Sequence, residues 1–300
     1  MALSRTGSSS RSCGPGRAHL EGKDSNLGVK GSPLGDYLRA RRAVVSPEEA
    51  GVTSHTRRRV PGLRRDEVAR AAGISQEYYL RLEQGRDRTP SDQVLRALGR
   101  ALMLDEAAVS YMLLLASAEP FDLPAQEAAV SMDNLAAILN AWPNTPAYII
   151  DSRHTVVLSN AMARAVVPHA LEPGVNIAEA VFSLPEVRAL PTWDQLASRT
   201  VRRLRYYGYP FDPRLHELAA RLSEQDPVFR TLWERQDVDP YYDGDVRPQV
   251  KGYGQIVLRH QTLVVPGTPG YLLCVYHAEP GTPSAEAIAH LAARISSTTV

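Results

Sequence analysis

The segment 64–85, RRDEVARAAGISQEYYLRLEQG, constrains this chain more than any other. Its apolar residues recur at helical spacing on both sides of Gly73, which predicts two short helices joined by a tight turn. Val68, Ala69 and Ala72 share one face of the first helix, and Ile74, Tyr79 and Leu82 can meet them from the turn and the second helix. Small side chains at 69 and 72 let the two backbones approach closely, and Gly73 tolerates the positive φ of a sharp turn. Ser75 is a good N-cap for the second helix. Gln76, Glu77, Tyr78 and Arg81 are then left on or near the outward face, with Arg64, Arg65, Arg86 and Arg88 at its edges. An apolar inner face, a polar outer face and flanking cations are what a helix-turn-helix needs to read DNA. A plain helical hairpin with a solvated face fits the same pattern, so the surroundings have to decide.

Charge favours the DNA reading. Residues 34–104 hold 14 Lys/Arg against 9 Asp/Glu, a net +5, and residues 1–33 carry a net +3. The whole chain is only +1, so residues 105–300 are −7. A near-neutral total therefore hides a basic N-terminal third and an acidic remainder, as expected for a local polyanion-binding surface.

Residues 1–33 are rich in Ser, Gly and basic residues and read as a disordered tail, either inert or weakly attracted to DNA. A first helix is expected at 34–43, with Leu34, Tyr37 and Leu38 inward. Residues 44–63 form an unusually long insertion holding Arg57, Arg58 and Arg59, which read equally as phosphate or minor-groove contacts and as a solvated charge run. Helices are expected at 65–72, 75–84, 91–102 and 105–117, with Val94, Leu95, Leu98, Ala101, Leu102, Tyr111, Leu114 and Leu115 as core. Glu83, among apolar neighbours, is expected to pair with an arginine of the first helix in a structural role. Residues 118–129, with two prolines and three acidic residues, read as a linker.

The second domain, 130–300, opens with a helix near 130–141. AYIIDSRHTVVLSN follows as strand, turn and strand, and Asn160 starts a helix. Further helices are expected at 176–182, 186–190, 193–207, 213–223 and 226–235. GQIVLRHQTLVV and YLLCVYHAE supply the last two or three strands, before a final helix at 284–296. A hairpin, central helices and closing antiparallel strands resemble a PAS-like α+β sensor. The fold class expected is thus multidomain: an all-α N-terminal domain at 34–117 and an α+β domain at 130–300.

Enzyme signatures fail on inspection. His216-Glu217 begins a HExxH-like run, but residue 220 is Ala. Gly252 and Gly254 begin a GxG, but residue 257 is Val. There is no GxSxG, no P-loop and no Cys/His cluster with metal spacing. No catalytic residue, metal or cofactor is expected. Two cysteines, Cys13 and Cys274, fit a reducing cytosol rather than a disulfide framework. No run has signal-peptide character or approaches the ~20 apolar residues of a membrane span, so a cytoplasmic protein is expected.

The block LGDYLRARRAVVSPEEAGV, then RRRVPGLRRDEVARAAGIS and YYLRLEQGR, resembles the N-terminal domain of actinobacterial MmyB-like regulators, within the Xre/Cro-type helix-turn-helix group. PAYIIDSRHTVVLSNAMARAV, NIAEAVF, LHELAARLSEQDPVFRTLWERQDV and YLLCVYHAEPGTPSAEAIAHL resemble their ligand-binding domain. The likeness spans about 34–297 and is least sharp at 239–254. It implies a one-component transcription regulator that binds double-stranded DNA and a small hydrophobic molecule such as a fatty acid. The expected DNA contacts are Arg57, Arg58, Arg59, Arg64, Arg65, Ser75, Gln76, Glu77, Tyr78, Arg81 and Arg86. The expected ligand contacts are Tyr148, Asn160, Phe182, Trp193, Leu204, Phe229, Trp233 and Tyr276, against the plainer reading that they only fill the core. A homodimer through 130–300 and a palindromic operator are expected, because one such domain reaches too few base pairs. The alternatives are a C-terminal dimerisation or docking platform without ligand, and a cytosolic enzyme with an accessory DNA-binding domain.

Overall fold

The computed structural model describes residues 32–52, 61–87, 89–117, 130–240, 245–268 and 270–298. Arg57, Arg58, Arg59, Arg88, the expected tail up to residue 31 and the expected linker at 118–129 lie outside the described residues. Five helices build the N-terminal part: α1 Pro33–Val44, α2 Arg65–Ala72, α3 Gln76–Glu83, α4 Asp92–Ala101 and α5 Glu106–Ala116. Polar caps fix where four of them start. Ser32, Ser75 and Ser91 accept the backbone N–H three residues on through Oγ, and Asp105 does so through its carboxylate. Gly73 ends α2 at φ 69°, the left-handed conformation expected there.

The core between these helices holds Tyr37, Leu38, Leu63, Val68, Tyr79, Leu82, Leu95, Leu98, Leu102 and Met112. Of the residues expected inward, Ala72, Ile74, Val94 and Leu114 are only half-buried at its edge. Met112, on the face that α5 turns inward, is fully buried instead. Gly35 lets α1 lie against the end of α3, since a Cβ there would sit 2.5 Å from the Glu83 carbonyl oxygen. One core member, Val238, comes from far along the chain, at 5% exposure.

The C-terminal part contains α6 Met132–Asn140, β1 Ala147–Ile150, β2 Val156–Ser159, α7 Ala161–Val166, α8 Ile177–Ser183, α9 Pro185–Arg188, α10 Trp193–Tyr207, α11 Pro213–Gln225 and α12 Pro227–Glu234. It closes with β3 Asp245–Val246, β4 Gln249–Val250, β5 Gly254–Gln255, β6 Leu258–Val264, β7 Leu272–His277 and α13 Pro283–Thr298. The antiparallel sheet has the order β2-β1-β7-β6-β3, with Tyr148 opposite Cys274 and His260 opposite Tyr276. Strand alternation sends Ala147 and Ile149 towards α6. Tyr148, Ile150, Leu258, Leu272, Cys274 and Tyr276 go to the other face, where α7 and α13 cover them. Helices α8 and α10–α12 make a separate core around Phe182, Trp193, Leu204 and Phe229.

The α+β expectation is met. GQIVLRHQTLVV supplies two strands, the three-strand alternative, because the ladder breaks at Ile256 and Val257, where the Val257 N–H donates to Ser284 Oγ at 2.9 Å. Gly254–Gln255 pairs with β4 in its own two-stranded sheet, and the main strand starts at Leu258. Two-residue strands such as β3 and β4 carry too little alternation to be read from sequence.

Candidate nucleic-acid interface and internal cavity

Helix α3 divides as its sequence requires. Tyr79, Leu82 and Glu83 are buried, Glu77 is exposed on the opposite side, Gln76 is exposed at the first turn, and Arg86 is exposed just past the end of the helix. Ser75 Oγ accepts the Tyr78 N–H at 3.1 Å, so this serine shapes the start of the helix. Tyr78 is half-buried against the core instead of standing on the outward face. Arg81 lies between two carboxylates, 3.7 Å from Glu77 and 3.5 Å from Asp87, with its guanidinium 5.4 Å from the centre of the Tyr78 ring. Exposed pairs of this length hold a side chain by only about 0–1 kcal/mol, so Arg81 can be redirected at small cost.

Glu83 meets the expectation of a structural partner. Arg42 of α1 donates to it from Nε at 2.6 Å, and Arg65 of α2 donates from Nε at 2.7 Å. Burial alone would push the Glu83 carboxyl up, but hydrogen bonds from Arg42 and Arg65 and their charges bring it below its ordinary value. Arg65 thereby ties α2 to α3, and its side chain, 44% exposed, is only partly at hand for a phosphate. Arg64 caps α2, its backbone N–H donating to Glu67 Oε2 at 2.7 Å.

The second site is a cavity of about 280 Å³. Aliphatic side chains from the α7–α8 region, Val167, Leu171, Ile177 and Val181, make one wall. Val187, Leu190 and Leu196 close it from the α9–α10 side. Tyr148 and Tyr276 of the sheet line it too. Its polar side chains are Thr192, Gln195 and Arg199 around the first turns of α10, and Asp245 and Arg247 on the approach to β4. Apolar walls with a few convergent polar groups are the usual makeup of a small-molecule site.

Beside the cavity lies a buried polar cluster. Tyr148 Oη is 3.3 Å from His260 Nε2 and 3.2 Å from Tyr276 Oη. Arg203 donates to Thr262 Oγ1 at 2.7 Å. Burial, then the Arg203 charge, pushes His154 down to about 3 and His260 well below its ordinary value, so both rings are neutral at physiological pH.

Two of the eight expected ligand residues, Tyr148 and Tyr276, line the cavity; the other six lie elsewhere. Asn160 caps α7, accepting the Ala163 N–H, and its amide donates to the Thr145 carbonyl at 2.7 Å. Phe182, Trp193, Leu204 and Phe229 fill the α8–α12 core, with Trp193 Nε1 donating to the Val181 carbonyl at 2.8 Å. Trp233 stacks on Phe229 and carries the Arg205 guanidinium 3.8 Å from its ring centre. The largest side chains went to the densest packing, and mid-sized aliphatics surround the cavity. The polar rim at 245–247 was missed because only the fold brings that segment to α10.

Residues 132–292 match the family model described as MmyB-like transcription regulator ligand binding domain, and residues 33–111 match a helix-turn-helix domain. The chain belongs to the MmyB-like transcription regulators. Comparison with curated proteins gave no match. As a member of that family the chain is a DNA-binding transcription regulator with a ligand-binding domain, and α3 lies within the residues matched to the helix-turn-helix domain. The cavity lies within the matched ligand-binding region of this MmyB-like regulator. Among the described residues, no group of His, Cys, Asp or Glu is placed to hold a metal ion, and no helix is long and apolar enough to cross a membrane.

Proposed function

We propose that this MmyB-like regulator reads operator DNA with α3 and responds to a small amphipathic molecule held in the cavity of its C-terminal domain. The single observation that carries the reading is the division of α3: Tyr79 and Leu82 are fully buried, Glu77 is exposed and Arg81 half-buried on the opposite side, and Gln76 is exposed at the first turn of the helix. In this arrangement Gln76, at the start of the helix, pairs with an adenine edge, and Arg81 exchanges Glu77 and Asp87 for a guanine. Arg64, Arg86 and the inserted Arg57, Arg58 and Arg59 meet phosphates, setting position without specifying sequence.

The cavity lining supports an apolar ligand with an anionic end, a fatty acid being the simplest such molecule. Its aliphatic walls suit a hydrocarbon chain and Arg199 suits a carboxylate, while Arg247, 3.4 Å from Asp245 on the same rim, can exchange that partner for the ligand's. The exposed Ile138, Trp142, Leu263 and Val264 support self-association through the C-terminal domain, and with it a palindromic operator.

A native mass spectrum of the purified chain, followed by titration with dodecanoate, tests the ligand half. A bound mass that solvent extraction removes, or saturable dodecanoate binding weakened by Arg199→Ala, supports it. A bare chain that ignores dodecanoate leaves the cavity without this role.

A further inference from the structure

Helix α10 presents three faces, each to a different part of the molecule. Gln195, Leu196 and Arg199 line the cavity, and Arg203, one turn further along the same stripe, enters the buried cluster beside Thr262. Ala197, Val201 and Leu204 sit in the α8–α12 core. The third stripe, Arg202, Arg205 and Tyr206, turns towards the DNA-binding half and the segment after α12. Tyr206 packs against the helix-turn-helix core, and Arg202 lies 3.4 Å from Asp239.

Arg205 is the centre of that third face. It is 5% exposed. It donates to Gln236 Oε1 at 2.6 Å and to the Trp233 carbonyl, and its guanidinium stacks on the Trp233 ring. Tyr111 of α5 faces it closely enough that the Arg205 charge opposes the rise that burial causes in the tyrosine hydroxyl. No carboxylate within ion-pair distance of Arg205 is seen among the described residues. A buried cation whose hydrogen bonds go to neutral groups, with the Asp237 charge acting only from a distance, is costly, so its position is sensitive to small movements of its partners. The same joint contains Asp237, paired with Arg41 of α1, and Val238, buried in the helix-turn-helix core.

We propose that α10 is the lever that carries the occupation of the cavity to the DNA-binding half, and that Arg205 is the positioning residue at its far end. This rests on the reading that the cavity takes a ligand and that α3 reads DNA. The helix is continuous from Leu196 to Arg205, about 14 Å at ~1.5 Å per residue. A bound molecule that moves Leu196 or Arg199 therefore moves Arg205 with them. At Arg205 the contacts are with α5 through Tyr111, and with α1 through the adjoining Asp237–Arg41 pair. Helices α1 and α5 brace the unit that holds α3, so their displacement changes how α3 is presented.

The test uses the full chain and a built-in occupant, Leu196→Trp, which puts an indole into the cavity. Two readouts are taken: hydrogen exchange of backbone amides in α1 and α5, and affinity for a duplex selected by the wild-type chain. Leu196→Trp is expected to change exchange in both helices and to shift DNA affinity by at least about fivefold. In an Arg205→Met background both responses should vanish, although that variant still binds DNA. Arg205→Lys, which keeps the charge but loses the planar stack, should restore them only in part. Should Arg205→Met fail to fold, Val238→Ala takes its place with the same expectation. Unchanged exchange in α1 and α5 on filling the cavity overturns the proposal, as do equal responses with and without Arg205. If α3 is not the DNA reader, affinity is lost as a readout while the exchange response to Leu196→Trp remains, which separates the two failures.

Discussion

Replacing Glu83 should break the DNA-binding half by a route that the geometry specifies. The carboxylate is 1% exposed, and its two partners differ sharply: the Arg42 side chain is 13% exposed and that of Arg65 is 44% exposed. Arg42 approaches with two nitrogens, Nε at 2.6 Å and Nη2 at 3.5 Å, and is also tied to the Leu63 carbonyl at 3.0 Å. Glu83→Ala leaves Arg42 as a largely buried charge without its counter-ion. Removing one partner of a buried pair costs about 3–5 kcal/mol. The Arg65 arm, open to water, contributes about 0–1 kcal/mol. A double-mutant cycle in chemical denaturation separates them. Coupling between Glu83 and Arg42 should reach about 2–3 kcal/mol, and coupling between Glu83 and Arg65 should stay below about 1. The pH dependence has a definite sign. A carboxyl lowered in the folded state contributes stability above its ordinary value, and that contribution is lost as pH falls through the folded value. The penalty of Glu83→Gln should therefore shrink in acid. Equal couplings for the two arginines, or a Glu83→Ala penalty below about 1 kcal/mol, would refute the reasoning.

Three further outcomes are expected. Gly35→Ala should destabilise the chain by about 1–3 kcal/mol through the clash with the Glu83 carbonyl, despite its gain in helix propensity, and an unchanged denaturation midpoint would contradict that contact. His154 is held at about 3 by burial and then by the Arg203 charge, so between pH 6.5 and 3 only the unfolded chain takes its proton and stability rises with pH. Equilibrium denaturation should lose about 1.6 kcal/mol from this residue between pH 6.5 and 5, and His154→Asn, which tolerates the φ of 65° there, should flatten that loss. Replacing Arg57, Arg58 and Arg59 together should lower the salt dependence of DNA binding by about 1 for each residue that touches a phosphate, and an unchanged slope returns them to a solvated run.

Much of the N-terminal part was legible because its signals are local. Ser75, Ser91 and Asp105 cap helices within their own sequence neighbourhood, Gly73 supplies a left-handed turn, and leucine spacing marks the buried face. The Glu83–Arg42 pair could be anticipated because a carboxylate among apolar neighbours needs a cation and α1 carries arginines. Val238 could not, since a single valine after α12 has no pattern that points to a core built by residues 34–115. The cavity was equally hidden. Choosing Phe182, Trp193 and Phe229 by size found the α8–α12 core, where close packing favours large rings, whereas the lining falls to Leu171, Ile177 and Leu190. Its polar rim joins α10 to residues 245–247 across the fold, a proximity that no local spacing records.

The central claim is that α3 reads DNA sequence. The most direct measurement is a selection from random duplexes by the purified full chain, followed by titration of the enriched duplex against unselected DNA at fixed salt, with wild type and Gln76→Ala. The account predicts one enriched sequence bound at least about 10³-fold more tightly than random DNA by the wild type. It predicts that Gln76→Ala loses about 1–3 kcal/mol on that sequence, with relaxed preference at a single base position. No enrichment, or a Gln76→Ala chain that selects and binds the same duplex as tightly, would contradict it.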